Sequence, residues 1–143
     1  TNLDTSGNPF TDQEPWHSGW LELMKYTDLV MLDIKQIDEQ EHIKLTGHSN
    51  KNILAMAREL SDMKKPVWIR HVLVPDGSDK DEYLHRLADF IHTLSNVERV
   101  EVLPYHTLGK FKWENLGLSY PLEGVNPPTQ ERIDNARKIL GAI

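Results

Sequence analysis

Three strand-like runs recur along the chain, and segments with a helical spacing of apolar residues separate them. The runs are the largely apolar residues 29–34 (LVMLDI) and 67–74 (VWIRHVLV) and the more charged residues 97–105 (VERVEVLPY). A short continuous apolar run such as 29–34 is typical of a strand that is buried on both faces of a parallel sheet. Strands that alternate with helices indicate a parallel sheet with right-handed crossover connections. The sequence therefore predicts an α/β fold.

Two of the intervening helices carry their own start and stop signals. Asp38 is placed to cap a helix that runs to about Thr46, and Gly47 would end it. Asn50 is placed to cap a second helix that runs to about Met63. Both helices lie between the first and the second apolar run.

Three further helices are expected, at 15–26, from DKDE to Ser95, and in NPPTQERIDNARKIL near the end of the chain. Pro128 is well placed at the start of the last one. The first has an apolar side, formed by Trp16, Trp20, Leu23 and Met24. The stretch HTLGKFKWENLG (106–117) is predicted to be a loop followed by a short helix or turn.

The opening residues, TNLDTSG, begin without a methionine and look like the end of a strand that runs into a loop. We therefore expect Thr1 not to be a natural start and the chain to be the C-terminal part of a longer protein. With this strand, four parallel strands are represented, which fits half of a doubly wound sheet or half of a barrel. Half a barrel exposes two unpaired strand edges, so we expect self-association if this piece folds alone.

The composition excludes several classes of protein. The chain has 143 residues, of which 38% are hydrophobic and 27% are charged, as in a folded domain. Its net charge of −6 disfavours phosphate backbones, so no nucleic acid partner is expected. No apolar run approaches the ~20 residues of a membrane span, so no membrane partner is expected. The absence of cysteine excludes thiolate metal sites within the chain and fits a cytoplasmic location.

Polar or ionisable residues stand at the end of every predicted strand. Ligands of parallel α/β folds gather at the carboxyl ends of the strands, so these residues form the candidate site. In chain order the strands provide Asp4 and Thr5, then Asp33 and Lys35, then Arg70 in mid-strand with the apolar Val72 and Val74 and the loop PDGSD, and finally Tyr105 and His106.

Each of these candidates has a structural interpretation beside the functional one. Asp33 and Lys35 share a strand face, where they face solvent, pair partly with each other, or bind a ligand. Arg70 lies inside an apolar run, so it either forms a structural salt bridge or binds an anion. His106 has either a structural or a catalytic role.

His85, Asp89 and His92 have the spacing of one helix face. They form either a metal site, which would suit a hydrolase on a TIM-like barrel, or a solvated helix face, which is the interpretation that we favour. The sequence contains no glycine-rich phosphate loop and no serine-nucleophile motif.

Four segments, taken in order, resemble the C-terminal half of pyruvate formate-lyase activating enzymes, which are glycyl-radical activases of the radical S-adenosylmethionine (SAM) superfamily. The segments are NLDTSG, DLVMLDIKQ, VWIRHVLVPDGSDKD and VEVLPYHTLGKFKWENLG, and YPLEGVNPP follows them. The resemblance implies that residues 1–143 are the C-terminal part of an incomplete (β/α)6 TIM-like barrel. It also implies an activase that generates a glycyl radical on pyruvate formate-lyase through a 5′-deoxyadenosyl radical, with a flavodoxin-type electron donor.

The resemblance also implies roles for the strand ends. Asp33, Ile34 and Lys35 match a D-x-K motif that helps to bind SAM, because an amino-acid zwitterion offers a carboxylate to Lys35 and an ammonium to Asp33. His106 matches a histidine that contacts SAM. Arg70 matches a position that lines the SAM pocket or the adjoining substrate channel.

Val72 matches a second position of that pocket or channel. Beside the SAM carboxylate, the resemblance implies a monovalent cation held by Asp4, Thr5, the Met31 carbonyl and Asp33. Hard oxygen ligands suit such a cation.

The chain departs from the family in lacking the cluster ligands. The family reaction needs a [4Fe–4S] cluster on a C-x-x-x-C-x-x-C loop and a glycine-rich strand end that holds the SAM amino group. Neither occurs in this sequence. The resemblance therefore implies that the N-terminal, cluster-binding half is absent and that this piece alone is inactive. The alternative is a cluster-free binding module on a half-barrel scaffold.

Overall fold

A computed structural model of the chain describes residues 2–5, 7, 10–75, 77–105 and 127–142. Strands and helices alternate, as the apolar runs predict. His106 and the loop and short helix predicted after the last strand lie outside the described residues. In chain order the elements are β1 (Asn2–Thr5), α1 (Trp16–Lys25), β2 (Leu29–Asp33), α2 (Glu39–Thr46), α3 (Lys51–Asp62), β3 (Val67–Leu73), α4 (Asp81–His92), β4 (Val97–Pro104) and α5 (Gln130–Leu140).

The four described strands form one parallel sheet in the order β1-β2-β3-β4. Strands that follow each other in the sequence are therefore neighbours in space. The sheet is not closed within the described residues, in agreement with the predicted partial barrel. β1 and β4 are its outer strands, and self-association through their edges stays a prediction.

Burial alternates along the strands with a period of two. In β3 every second side chain, from Val67 to Leu73, is buried, and the side chains between them are half-buried. β2 shows the same alternation. Because successive side chains of a strand point to opposite faces, one face of the sheet is covered and the other is half-covered. The predicted burial on both faces is wrong here, because the described helices form a layer on one face.

The covered face forms one hydrophobic core with α1, α3, α4 and α5. Of the apolar side of α1, only Trp20 and Met24 are buried, whereas Trp16 and Leu23 are exposed. None of the helices in the described ranges has the length and hydropathy that crossing a membrane requires. The core residues of β2 and β3, and Ile34 directly after β2, are almost fully buried: Val30, Leu32, Ile34, Val67, Ile69 and Leu73.

The helix ends agree with the sequence in part. Asp38 accepts a backbone N–H of the first turn of α2 at 3.0 Å, and Gly47 ends this helix at φ 81°, as predicted. Asn50 precedes α3, but its side chain does not cap it and bonds elsewhere. The cap of α5 is Thr129, so Pro128 lies before the cap and not in the first turn.

Leu60 of α3 is fully buried in this core, whereas Leu23 of α1 is 47% exposed. We expect Leu60→Ala to lower the free energy of unfolding by about 2–5 kcal/mol, because it removes buried apolar groups and leaves a cavity. Leu23→Ala is the matched control, and we expect a loss below about 1 kcal/mol. Urea unfolding followed by circular dichroism measures both losses. Equal losses would contradict the one-sided core.

His17 joins α1 to α3, because its Nε2 hydrogen-bonds the Glu59 carboxylate. This hydrogen bond raises the pKa of His17, with burial acting in the opposite direction. The folded pKa lies above the unfolded value of about 6.5, so the stabilisation is complete below pH ~6.5 and is lost as the pH rises through the folded pKa. We expect His17→Gln to destabilise the fold more at pH 6 than at pH 8.

Urea unfolding of both proteins at the two pH values measures this difference. Glu59→Gln removes the other partner and should show the same pH dependence. A loss that does not change with pH would show that the contact does not depend on the charge of His17.

Candidate functional site

The half-covered face of the sheet carries charged side chains from three strands. We call it the open face. Its residues alternate with the core residues along each strand, so neighbouring strands place their charged side chains side by side. The open face presents Met31, Asp33 and Lys35 from β2 and its end, Trp68, Arg70 and Val72 from β3, and Arg99, Glu101 and Leu103 from β4.

A salt bridge on the open face joins the two central strands, β2 and β3, at the carboxyl end of β2. Asp33 and Arg70 stand directly opposite each other in the register, and Arg70 Nε donates to Asp33 Oδ1 at 2.8 Å. The two side chains keep 23% and 19% of their surface exposed, so the pair is accessible from the open face. The acidic partner of Arg70, which the sequence left open, is thus Asp33.

A second ion pair continues the pattern on β4. Arg99 Nε lies 2.9 Å from Glu101 Oε1, and the Arg99 guanidinium lies over the Trp68 ring at 5.2 Å from its centroid. Glu101 stands opposite Arg70 in the register. Negative and positive charges therefore alternate across the face from β2 to β4. Such a surface suits a ligand that carries both signs of charge.

Ile34 differs from its neighbours, because its side chain is fully buried in the core. Its backbone N–H donates to Arg70 O at 2.9 Å. Its carbonyl accepts from Nδ1 of His71 at 2.7 Å, and burial lowers the pKa of His71, which favours the neutral ring. A ligand on the open face can meet only the backbone of Ile34.

Two of the predicted cation ligands, Thr5 and Asp33, differ in the face of the sheet that their side chains occupy. Asp4 stands opposite Met31 in the register, but Thr5 stands opposite Leu32, which belongs to the core. Thr5 Oγ1 accepts the backbone N–H of Gly7 at 3.0 Å. The Thr5 side chain and the Asp33 carboxylate therefore lie on opposite faces.

The three candidate metal ligands of α4 lie on its exposed face. His85, Asp89 and His92 are all exposed, in agreement with a solvated helix face. Across the described ranges, no three His, Asp or Glu residues come together closely enough to hold a metal ion.

Three buried polar side chains lie at the carboxyl edge of the sheet, and the sequence did not indicate their contacts there. Gln36, Asn50 and Ser78 are each at most 2% exposed, and of these only Asn50 had an expected role, as a helix cap. They bond to the backbone at the ends of β2 and β3 and in the loops that follow. The one available signal was that Gln36 continues the alternation of β2 and so falls on the covered face.

Fold and site define the class: a parallel α/β domain with an open sheet, one face of which carries side chains of mixed charge near the carboxyl ends of its strands. Along 98% of its length the chain is similar to curated pyruvate formate-lyase-activating enzymes. It is 55% identical to that of Streptococcus mutans, 54% to that of Staphylococcus epidermidis and 52% to that of Staphylococcus aureus. The resemblance expected from the four segments is therefore confirmed.

The chain spans about half the length of these relatives, namely 53–56%. No protein-family model matches it.

Two solved structures confirm the fold. A domain of pyruvate-formate lyase-activating enzyme from Bacteroides vulgatus superposes with a TM-score of 0.75 at 20% identity, over 98% of this chain and 74% of that one. A radical SAM methyltransferase from Sphaerobacter thermophilus superposes with a TM-score of 0.64 at 17% identity, over 98% and 37%. The chain therefore shares its α/β fold with both of these structures, in agreement with the partial barrel.

A double-mutant cycle tests the ion pair of the open face. We expect Asp33→Ala and Arg70→Ala to show a coupling of about 1–2 kcal/mol in unfolding free energy, because either single change leaves a partly buried charge without its partner. The exposed pair Glu22–Lys25 on α1 is the matched control, with an expected coupling of about 0.3–0.5 kcal/mol. Urea unfolding gives both values. A coupling no larger than that of the control would contradict the assignment.

Proposed function

We propose that residues 1–143 are the C-terminal part of a radical SAM activase and that the open face holds part of its SAM site. The observation that carries this proposal is the Asp33–Arg70 ion pair beside Lys35, at the carboxyl edge of the sheet. The similarity to pyruvate formate-lyase-activating enzymes supports it.

The charges of the open face fit the amino-acid end of SAM. Lys35 would bind the carboxylate, and Asp33 would accept a hydrogen bond from the ammonium group. Arg70 holds the Asp33 carboxylate in one orientation across the strands. The carboxylate is therefore already ordered before the ligand binds. SAM would supply the 5′-deoxyadenosyl group for forming a glycyl radical on pyruvate formate-lyase.

Six further positions complete the proposed site. Val72 lines it with an apolar side chain, and Ile34 contributes its backbone. His106, which lies outside the described residues, contacts the cofactor. We also propose a monovalent cation near Asp33 and the Met31 carbonyl; Asp4 belongs to this set, and Thr5 joins it through its backbone.

The residues of this chain do not fit an iron–sulfur cluster, because none of them is a cysteine. We infer that the [4Fe–4S] ligands belong to the part of the relatives' length that this chain does not span. The chain alone would then be inactive. In the full-length enzyme, a flavodoxin-type electron donor and pyruvate formate-lyase would be its partners in the cytoplasm.

The first test is the reading frame that encodes this segment. We expect it to encode, upstream of Thr1, a C-x-x-x-C-x-x-C loop followed by a glycine-rich strand end. The full-length protein, reconstituted with iron and sulfide, should show the charge-transfer absorption of a cluster. A start codon just before Thr1, with no cysteine loop, would instead indicate a cluster-free binding module.

The second test measures SAM binding by the full-length protein. We expect Asp33→Asn and Lys35→Gln each to weaken the affinity about tenfold or more, because each removes a charge-assisted hydrogen bond. Lys51→Gln is the matched control, because Lys51 is exposed on α3. The affinity of this variant for SAM should equal that of the unmodified protein. Anaerobic isothermal titration gives the Kd values. Unchanged binding by both site variants would exclude this face as the SAM site.

A further inference from the structure

The carboxamide of Gln36 joins two loops beneath the open face. Gln36 follows Lys35 directly, and it is 1% exposed. Its Nε2 donates to the carbonyl of Gly77, in the loop after β3, at 2.9 Å. Its Oε1 accepts the backbone N–H of Asp38, in the loop after β2, at 3.2 Å. Both ends of this buried group are therefore satisfied by backbone of different loops.

Two more buried side chains fix the same backbone. Asn50 Nδ2 donates to two successive carbonyls of the loop after β2, beginning with that of Gln36, at 3.0 and 2.8 Å. Ser78 Oγ donates to Val72 O at 2.7 Å and accepts the N–H of Val74 at 3.0 Å. Hydrogen bonds from buried side chains thus hold the backbone of both segments, the one that carries Lys35 and the one that carries Val72.

The chemistry of a carboxamide makes this connection specific. A buried donor or acceptor without a partner is costly, so Gln36 can be accommodated only when both loops present their backbone groups at hydrogen-bonding distance. A satisfied polar group of this kind permits fewer arrangements than an apolar side chain of equal size. The two loops are therefore held in one relative position.

We propose that Gln36 is a positioning residue of the SAM site, and this inference rests on the proposed function. Consecutive strand residues point to opposite faces, so Lys35 meets the open face while Gln36 stays on the covered face. Gln36 acts on the ligand through the backbone of Lys35 and through the loop after β3. It does not contact the ligand itself.

Gln36→Glu in the full-length protein tests this role. The variant keeps the shape of the side chain but places a carboxylate oxygen, in place of the N–H donor, against the Gly77 carbonyl. We expect the Kd for SAM to rise roughly tenfold, as is typical when a group that orients a ligand-binding residue is removed. Asn50→Asp removes the neighbouring donor and should weaken binding in the same direction.

Asn96→Asp is the matched control at the opposite edge of the sheet. Asn96 is 9% exposed, and its Nδ2 donates to the Lys65 carbonyl at 2.6 Å. This variant makes the same amide-to-acid change against a backbone carbonyl. It should lower the thermal midpoint, as Gln36→Glu does, but leave the Kd for SAM unchanged. If Gln36 had only a structural role, Gln36→Glu and Asn96→Asp would both lower the thermal midpoint and both leave the Kd for SAM unchanged.

The outcomes separate this inference from the proposed function. If the unmodified protein binds SAM and Gln36→Glu binds it equally well, the inference is overturned and the function stands. If the unmodified protein does not bind SAM, the proposed function fails, and hydrogen exchange decides whether Gln36 fixes the loops. We expect Gln36→Glu, and not Asn96→Asp, to speed amide exchange in 34–38 and 77–79 at least several-fold.

Unchanged exchange in those segments overturns the inference. Should Gln36→Glu not fold, Gln36→Met keeps the length of the side chain without a charge, and the same two measurements apply to it. A Gln36→Met protein with the affinity and exchange of the unmodified protein would likewise overturn the inference.

Discussion

The register between β2 and β3 places Asp33 directly opposite Arg70, and the remaining geometry of the site depends on this alignment. A slip of either strand by one residue would turn its own charge onto the covered face, away from its partner, where an unpaired charge costs several kcal/mol. Leu32 and Ile69, which are fully buried on the other face, hold the register in place. The residues that stabilise the fold therefore also determine which charges meet on the open face.

Buried amides connect the loops at both edges of the sheet. At the amino edge, Asn96 bonds to the carbonyl of Lys65, and Lys65 Nζ donates to Thr27 O at 2.7 Å. At the carboxyl edge, Gln36 bonds to the loop after β3. Only the second set lies next to candidate ligand-binding residues. A hydrogen bond from a buried amide to a backbone carbonyl thus stabilises the fold at the amino edge. In the proposed function, the same kind of bond positions a binding site at the carboxyl edge.

The mixed charge of the open face fits the role proposed for this part of the protein, which is to bind and orient the cofactor. In cofactor enzymes the cofactor carries the reaction, while the protein binds and orients it. Asp33 and Arg70 neutralise each other, and Lys35 adds a positive charge near the strand end. A zwitterion meets complementary groups on such a surface without requiring an isolated buried charge.

The sequence by itself determined the order of the elements, the cap at Asp38 and the end of α2 at Gly47, because these depend on residues close together in the chain. It also placed charged residues at the strand ends. Only the tertiary structure showed that Arg70 bonds to Asp33 and that Gln36 bonds to the loop after β3, since these partners are 37 and 41 residues apart. Likewise, Asn50 has the local pattern of a cap, but a neighbouring loop competes for its side chain and binds it instead. Local spacing sets which face a side chain occupies, whereas strand register and loop packing set which partner it meets there.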